Sequence, residues 1–306
     1  RLGMAALVDP VSCEFLAGGL GGAVGVFIGQ PFDFIKVRLQ ALGKAYAGPL
    51  DCLSQTLRRE GVGGLYRGIL PPVINSFVLN AILFTTYDHG HGLVCSLQAH
   101  GAVHSFLAGS YAGLLSVGAL VPFDLVKCQM QVDRAPGASG RYRNSLHCAR
   151  SIMREGGVAT LYRGTLITAL RDSPATGAYF VVFEELERRL PLWVPALKGD
   201  RSVLIAGGTA GVLTWAAAYP FDTVKTYIMS QPVDAPAHRR QVLPVARALL
   251  RENGVRWFYR GLGTCLIRAF PVNAATFLVY KRAKELLCPC PDGGCELSAP
   301  ACAESW

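Results

Sequence analysis

Three short phrases in the sequence place an acid and a base directly after a proline that follows an apolar run. Each reads Pro-Phe-Asp-x-x-Lys, and the copies begin at Pro31, Pro122 and Pro220. A soluble helix normally spreads such charges over its own polar face. Here they stand next to segments that carry almost no charge, where an ionisable group is costly unless it is paired or hydrated. These acids and bases are therefore candidates for ion pairing.

Two arginines inside other apolar segments are candidates for binding an anion. Arg171 and Arg268 offer planar guanidinium groups that bind a carboxylate through two hydrogen bonds. Asp172, next to Arg171, offers a counter-charge to a cation. Aromatic side chains within the apolar segments offer ring faces for a quaternary ammonium group, and the candidates are Trp215, Tyr179 and Phe180. The set fits a zwitterion or a cationic amino-acid derivative better than a nucleotide or a dicarboxylate.

The composition is more apolar than that of an ordinary globular domain, and its basic balance fits a membrane surface or an anionic substrate. The 306 residues are 51% hydrophobic and carry a net charge of +9, and the bases are dispersed between apolar segments. This dispersion argues against a nucleic-acid partner. The ten cysteines show no framework spacing, which predicts reduced thiols. No metal-ligand spacing, catalytic triad or phosphate-binding loop is evident, so we expect no metal, no cofactor and no enzymatic activity.

The proline phrases belong to a unit that occurs three times. A second phrase, ending in Tyr-Arg-Gly, follows each of them and closes at Gly68, Gly164 and Gly261. Two phrases that recur three times in the same order predict a repeat architecture. The expected repeats are residues 1–100, 101–198 and 199–306, and the third includes a cysteine-rich tail from about residue 288 to 306.

Each repeat contains two apolar segments that approach the roughly 20 residues needed to cross a bilayer as a helix. The six predicted spans are Phe15–Phe32, Gly68–Tyr87, Gly101–Phe123, Gly164–Phe183, Ser202–Phe221 and Gly261–Tyr280. A short amphipathic segment between the two phrases predicts a helix along the membrane surface in each repeat. Small residues four apart predict close helix contacts at the pairs Gly18/Gly22, Gly109/Gly113 and Gly207/Gly211. The expected fold class is an all-α membrane protein with six transmembrane helices.

The triplicated pattern resembles that of the mitochondrial carrier family, over about Cys13 to Leu287. The resemblance implies six tilted helices with threefold pseudosymmetry around a central cavity, and alternating access across the mitochondrial inner membrane. It also implies a monomer that transports a small molecule. Membrane lipid is the other expected partner, with cardiolipin bound as a structural lipid near Gly68, Gly164 and Gly261.

The resemblance gives the proline phrases the role of a gate on the matrix side. The family's cyclic pattern predicts pairs of Lys36 with Asp124, Lys127 with Asp222, and Lys225 with Asp33. Carriers place a glutamine brace beneath these pairs, at the positions of Gln40 and Gln131. The third equivalent position is Met229, which cannot form a hydrogen-bonded brace.

The family's second gate, on the cytoplasmic side, departs from the usual pattern here. The matching positions are Asp88, His91, Glu184, Glu187, Lys281 and Lys284. Cyclic pairing keeps Glu184 with Lys284, but it brings Asp88 to Glu187 and Lys281 to His91. We expect this gate to be weak, which leaves both strict exchange and one-way transport open.

Thirteen residues before the cytoplasmic gate, the sequence predicts a substrate layer about 20 Å deeper in the bundle. The count reaches Asn75, with Ser76 beside it, together with Arg171 and Arg268. We assign Asp172 and Trp215 to the same layer.

The sequence around Arg171 and Arg268 resembles that of the carnitine/acylcarnitine carriers, although Gln30 stands where those carriers have histidine. Carriers of basic or methylated amino acids are an alternative, and a membrane scaffold without transport is a further one.

Two cysteines are candidates for redox regulation. Cys128 follows the gate base Lys127, whose charge is expected to favour a thiolate. Cys148 lies on the surface helix of the second repeat. We expect oxidation to join the two thiols and arrest transport, with inert buried thiols as the alternative.

Overall fold

The computed structural model of the chain describes residues 10–42, 45–79, 82, 102–138, 140–193 and 200–287. Their architecture is all-α. Five long helices and one shorter stretch supply the walls of a bundle: α1 (Pro10–Ala41), α4 (residues 70–79), α5 (Ala102–Val132), α7 (Thr165–Trp193), α8 (Asp200–Ser230) and α10 (Leu262–Leu287). Three shorter helices connect them within the repeats: α2 (Pro49–Glu60), α6 (Ser145–Gly156) and α9 (Val242–Asn253). The turn α3 (Val62–Leu65) follows α2.

The long helices run beyond the predicted apolar spans because they continue through the prolines. Pro31, Pro122 and Pro220 all lie inside their helices, so each proline phrase is helical and extends the span by two to three turns. A proline removes one backbone hydrogen bond and crowds the preceding turn, without ending these helices. The charged residues of the phrases therefore project from helices, in the C-terminal parts of α1, α5 and α8.

By length and composition alone, two stretches of the described residues qualify as membrane spans, Ala102–Val132 and Val255–Tyr280.

The helix packing follows the repeats and closes the bundle. Helix α5 packs on α7, α7 packs on α8, and the first helix α1 packs on the last, α10. The first long helix of each repeat also contacts the other two, and these helices are α1, α5 and α8. These contacts bring the three proline phrases to one end of the bundle, as the repeat pattern predicts.

The three amphipathic segments form helices, which confirms the sequence prediction. In each, the buried residues lie four positions apart, which places them on one face of the helix. The pairs are Cys52 with Thr56 in α2, Cys148 with Ile152 in α6, and Val245 with Leu249 in α9. Basic residues occupy the last turn of each helix.

The glycine pairs are only partly where the sequence places them. A Cβ atom built on Gly113 would lie 2.9 Å from the carbonyl oxygen of Asp172, and one on Gly109 would lie 2.7 Å from the Phe180 ring. These two residues let α5 approach α7 closely, as expected. In α1, tight contacts with α10 fall on Gly21 and Gly25, and the Gly18/Gly22 contact stays a prediction.

In α8 the spacing of glycines does not mark a tight helix contact. Gly207 meets only side-chain atoms, at 3.6 Å or more, and a Cβ atom on Gly211 would meet nothing within 4 Å. Spacing shows which glycines share a helix face, but which face meets a neighbour depends on how the helices pack.

We expect Gly113→Ala to destabilise the protein, because backbone atoms of α7 leave no room for the added methyl group. Overpacking of this kind costs about 1–3 kcal/mol, which corresponds to a melting temperature lower by a few degrees. Gly118→Ala, in the same helix with open space around it, is the control. Thermal unfolding of the purified protein in detergent measures both variants. Equal melting temperatures for the two would contradict the close α5–α7 contact.

Candidate functional site

The three proline phrases form a closed ring of ion pairs between helices. The Nζ atoms of Lys36, Lys127 and Lys225 each lie 2.7 Å from an aspartate oxygen of a neighbouring repeat. The pairs are Lys36 with Asp222, Lys127 with Asp33, and Lys225 with Asp124. We call these six residues the Asp–Lys ring.

The ring pairs in the direction opposite to the one predicted from the sequence. Lys36 was expected to bind Asp124, but it binds Asp222 of α8, and the other two pairs are shifted in the same sense. Each helix carries one acid and one base, so both cyclic directions satisfy the sequence equally well. The packing of the three helices around the bundle selects one direction, and the spacing within a phrase does not contain this information.

The two predicted substrate arginines contact the ring directly. Arg171 forms ion pairs with its neighbour Asp172, at 2.5 Å, and with Asp222 of the ring. The Nε atom of Arg268 lies 3.1 Å from Asp33 of the ring. Both guanidinium groups retain about a fifth of their exposure. The predicted substrate layer and the ring are therefore one connected charge network.

The third position of the substrate layer is neutral, and this breaks the threefold pattern. Asn75 is partly buried, and its Oδ1 atom has no hydrogen-bond partner. The hydroxyl of Ser76 donates to the carbonyl oxygen of Val73 in its own helix. In the described network Asp33 and Asp222 each contact an arginine as well as a lysine, whereas Asp124 contacts Lys225 alone.

A cavity of about 360 Å³ lies between α7 and α8, next to the ring. Three of the residues assigned to the substrate layer line it, namely Arg171, Asp172 and Trp215. The Trp215 ring faces two cations of the protein: Lys36 Nζ is 4.8 Å and Arg171 Cζ is 5.7 Å from its centroid. The aromatic face thus lies at the cavity and already makes cation–π contacts.

Of the two predicted glutamine braces, the structure contains one. The Nε2 atom of Gln40 donates to Asp222, at 3.1 Å, and to Thr223, at 3.2 Å, so Gln40 supports the Lys36–Asp222 pair. The side-chain amide of Gln131 makes no hydrogen bond. Its contact with the neighbouring repeat runs through its backbone carbonyl oxygen, because Arg38 of α1 reaches across and donates to it at 2.9 Å.

The arginine of each Tyr-Arg-Gly phrase connects its repeat to the next, a role that the sequence analysis missed. Arg67 binds Asp133 at 2.5 Å, Arg163 donates to the carbonyl oxygen of Gln231 at 2.6 Å, and Arg260 donates to that of Tyr46. The links run from the first repeat to the second, to the third and back to the first. The signal was present in the sequence, since the arginine recurs in all three phrases.

The residue that precedes each proline has a structural role in two repeats. The side-chain amide of Gln30 donates to the carbonyl oxygen of Arg67, and the hydroxyl of Tyr219 donates to that of Arg260. Both side chains are fully buried. The Gln30 side chain therefore holds the Tyr-Arg-Gly phrase of its own repeat and does not line the described cavity.

Most of the cytoplasmic-gate prediction lies outside the described residues. Asp88 and His91 fall outside them, and the structure describes the backbone but not the side chains of Lys281 and Lys284. Glu184 is exposed and accepts a hydrogen bond from Ser105 at 2.5 Å. Glu187 is partly exposed. The pairing of these six positions stays a prediction.

The redox candidates lack the activation that the sequence suggested. Cys128 is 7% exposed and Cys148 is fully buried, both as free thiols in one hydrophobic cluster. The charge of Lys127 is engaged with Asp33 and is not available to a thiolate. Burial raises the pKa of Cys148 to about 12, with Asp133 adding to the effect. The structure thus favours the alternative of inert thiols in this conformation.

Comparison with known proteins gives one consistent result. A family model described as mitochondrial carrier protein matches residues 8–96, 98–192 and 201–289. The mitochondrial carnitine/acylcarnitine carrier protein of Mus musculus is 38% identical over 293 residues, which cover 90% of this chain and 94% of that protein. Solute carrier family 25 member 45 of Mus musculus is 37% identical, covering 88% and 96%. The mitochondrial basic amino acids transporter of Bos taurus is 35% identical, covering 95% and 99%.

Charge exchange within the ring tests the observed pairing. Lys225→Asp alone leaves Asp124 facing a second carboxylate. We expect a loss of about 2 kcal/mol of stability, below the roughly 3–5 kcal/mol of a fully buried pair, because Asp124 is 28% exposed. Adding Asp124→Lys restores the pair and the melting temperature. The control combines Lys225→Asp with Asp33→Lys, because the sequence predicted that Lys225 pairs with Asp33. We expect no recovery of the melting temperature in this double variant. Recovery in the control alone would contradict the observed direction.

We expect Cys148 to resist alkylation at pH 8. With a pKa of about 12, only about one thiol in ten thousand is ionised at that pH, and the thiolate is the reactive form. A cysteine introduced at the exposed Arg150, two residues away on the same helix, is the control and is expected to react at least tenfold faster. Mass spectrometry of maleimide-treated protein measures both rates. Comparable rates would show that the α6 face opens readily.

Proposed function

The chain belongs to the mitochondrial carrier family, and on this premise we propose that it moves a zwitterionic carboxylate, carnitine or an acylcarnitine. It is a transporter of the mitochondrial inner membrane with several membrane-spanning helices. The observation that carries the substrate proposal is the cavity beside the ring, which joins Arg171, Asp172 and Trp215 in one lining. Arg171 offers a partner to a carboxylate, Asp172 offers one to a positive charge, and the ring face of Trp215 offers one to a quaternary ammonium group.

The charge balance of the network favours a substrate with a carboxylate. Among the described residues at this level, five bases face four acids: Lys36, Lys127, Lys225, Arg171 and Arg268 against Asp33, Asp124, Asp172 and Asp222. One positive charge is therefore unmatched. A zwitterion offers its carboxylate to the unmatched base while its quaternary ammonium group faces the Trp215 ring, so its binding adds no net charge to the network.

The contacts of Arg171 and Arg268 suggest how binding acts on the ring. Both arginines hold ring aspartates in this structure, in which all three ring pairs are formed. A substrate carboxylate that binds the arginines competes with Asp222 and Asp33 for them. A quaternary ammonium group at Trp215 competes in the same way with Lys36, which lies 4.8 Å from the ring centroid. Bound substrate therefore weakens the ring, and a ligand changes a conformational equilibrium only through such differential contacts.

Transport of a basic amino acid is the second candidate. The basic amino acids transporter of Bos taurus covers 95% of this chain, and Asp172 offers a partner to a side-chain cation. A basic amino acid carries two positive charges and one negative charge. It adds a net cation to a network that already holds one unmatched base, so we rank it below a zwitterion.

Uptake by liposomes that contain the purified protein distinguishes these substrates. We expect uptake of labelled carnitine and acetylcarnitine, and at least tenfold slower uptake of labelled lysine and arginine. Trimethyllysine tests the methylated alternative, because it combines a quaternary ammonium group with an amino-acid head. Faster uptake of lysine than of carnitine would overturn the proposal in favour of the second candidate, and no uptake of any of them would leave the scaffold alternative.

We expect Arg268→Ala to reduce carnitine uptake by about ten- to hundredfold while the melting temperature changes little. The variant removes a carboxylate partner, and a hydrogen bond to a charged group contributes about 1.5–3 kcal/mol. The melting temperature changes little because Arg268 makes a single contact with Asp33, at 3.1 Å, and Asp33 keeps its ion pair with Lys127. Arg256→Ala, at an exposed position of a connecting turn, is the matched control. Uptake by the Arg268 variant equal to that of the control would remove this arginine from the site.

A further inference from the structure

The cavity between α7 and α8 is polar at one end and apolar at the other. Its inner end, near the ring, is lined by Arg171, Asp172 and Trp215. Its other end is lined by Tyr179 and Phe180, two turns further along α7, and by Gly211, one turn from Trp215 on α8. Helices α7 and α8 are antiparallel. Going away from the ring, the lining therefore changes from Arg171 and Asp172 to Tyr179 and Phe180 on α7, and from Trp215 to Gly211 on α8.

The apolar end has room because α8 carries a glycine there. A Cβ atom built on Gly211 would meet no atom within 4 Å. Ala175, which lies on α7 between Asp172 and Tyr179, also lines the cavity and has a short side chain, whereas Ala218 lines the ring end. Because Gly211 has no side chain and Ala175 only a methyl group, an apolar space remains beside Tyr179 and Phe180, and it is continuous with the head-group contacts at Arg171 and Asp172.

The aromatic rings at this end are held by packing. A Cβ atom built on Gly109 of α5 would lie 2.7 Å from the Phe180 ring. A Cβ atom built on Gly207 of α8 would lie 3.6 Å from the hydroxyl of Tyr179. Tyr179 also packs edge-to-face on Phe180 and stacks on Phe183, with centroids 5.8 and 6.1 Å apart. The rings therefore form a fixed apolar boundary, and a ligand does not need to rearrange them.

We propose that this apolar end of the α7–α8 cavity binds the acyl chain of the transported substrate, with Gly211 providing the space for it. The inference rests on the proposed function, since it assigns the tail of a ligand whose head binds Arg171, Asp172 and Trp215. It commits the protein to an amphipathic substrate, an acylcarnitine in preference to free carnitine. The occupant follows from continuity, because the chain of a head group bound at Arg171 enters this space directly.

The volume sets the expected chain length. About 360 Å³ is near the lower end of the roughly 300–1,000 Å³ of small-molecule sites. The cavity thus holds a head group with a short or medium chain, and a long chain extends beyond it. Each methylene buried within the cavity strengthens binding about fourfold. Affinity is expected to rise from acetyl to octanoyl and then to level off.

A chain-length series in proteoliposomes tests the proposal. Uptake of labelled carnitine is inhibited with acetyl-, octanoyl- and palmitoylcarnitine, and the half-inhibiting concentration is measured for each. In the wild type we expect octanoylcarnitine to inhibit at least tenfold more strongly than acetylcarnitine. Gly211→Leu fills the space, so the octanoyl-to-acetyl preference is expected to fall by at least tenfold. Ala175→Leu, on the opposite wall, is expected to act in the same sense and serves if the first variant is unstable.

Gly208→Leu is the matched control. Gly208 lies on the same helix, also with nothing within 4 Å, but it is exposed and does not line the cavity. It is expected to keep the wild-type preference. An equal loss of preference in Gly208→Leu and Gly211→Leu, or no loss in either wall variant, would overturn the proposal.

A bilayer lipid is the other possible source of an acyl chain, and mass spectrometry of the intact protein separates the two. Loss of co-purified phospholipid from Gly211→Leu with an unchanged octanoyl preference would assign the space to lipid and overturn the proposal.

If the wild type takes up no carnitine, the proposed function fails and the cavity is tested separately. Thermal stabilisation by octyltrimethylammonium is then compared with that by tetramethylammonium. A chain effect that Gly211→Leu removes supports the acyl site, and a chain effect that persists overturns it.

Discussion

The structure depends on the cost of placing ionisable groups inside an apolar helix bundle. A charge at this depth is tolerated only with a partner or with water, and each lysine of the ring finds its partner on the helix of another repeat. No repeat pairs its own ring lysine with its own ring aspartate. Three copies arranged in a closed circle are therefore required for any one of them to be stable. The same requirement explains the links outside the ring, where Arg67, Arg163 and Arg260 each bind the following repeat.

The sequence predicts the parts of this arrangement that recur within each repeat. The three phrases, the surface helices and the six ring residues follow from spacing and repetition, and the helix boundaries differ mainly because the helices continue through Pro31, Pro122 and Pro220. The features that depend on relations between repeats do not follow. The direction of the ring, the hydrogen bonds of Gln131 and the tight contacts at Gly21 and Gly25 are set by how helices pack. A linear pattern does not encode the side on which a neighbour lies.

The candidate site is a departure from the threefold symmetry that builds the fold. Asp33 and Asp222 each hold an arginine as well as a lysine, and Asp222 also accepts from Gln40, while Asp124 holds Lys225 alone in the described network. The repeats supply equivalent positions, and the residues there differ: Asn75 is neutral where Arg171 and Arg268 are charged. Symmetric positions make a closed ring possible, and the asymmetric residues among them make a site that distinguishes one end of a substrate from the other.

The shared arginines connect binding to conformation without a separate transmitting element. A buried ion pair contributes little net stability, because the cost of removing both charges from water offsets most of their attraction, yet removing one partner is strongly unfavourable. A ring of such pairs is therefore stable when complete and sensitive to any competitor for its members. Under the proposed function, a carboxylate at Arg171 and Arg268 competes with Asp222 and Asp33 for these arginines, so two of the three ring aspartates lose a partner while the Lys225–Asp124 pair is untouched. The ring then loses support unevenly, so opening is expected to begin where α1 and α8 meet and to end at the contact between α5 and α8.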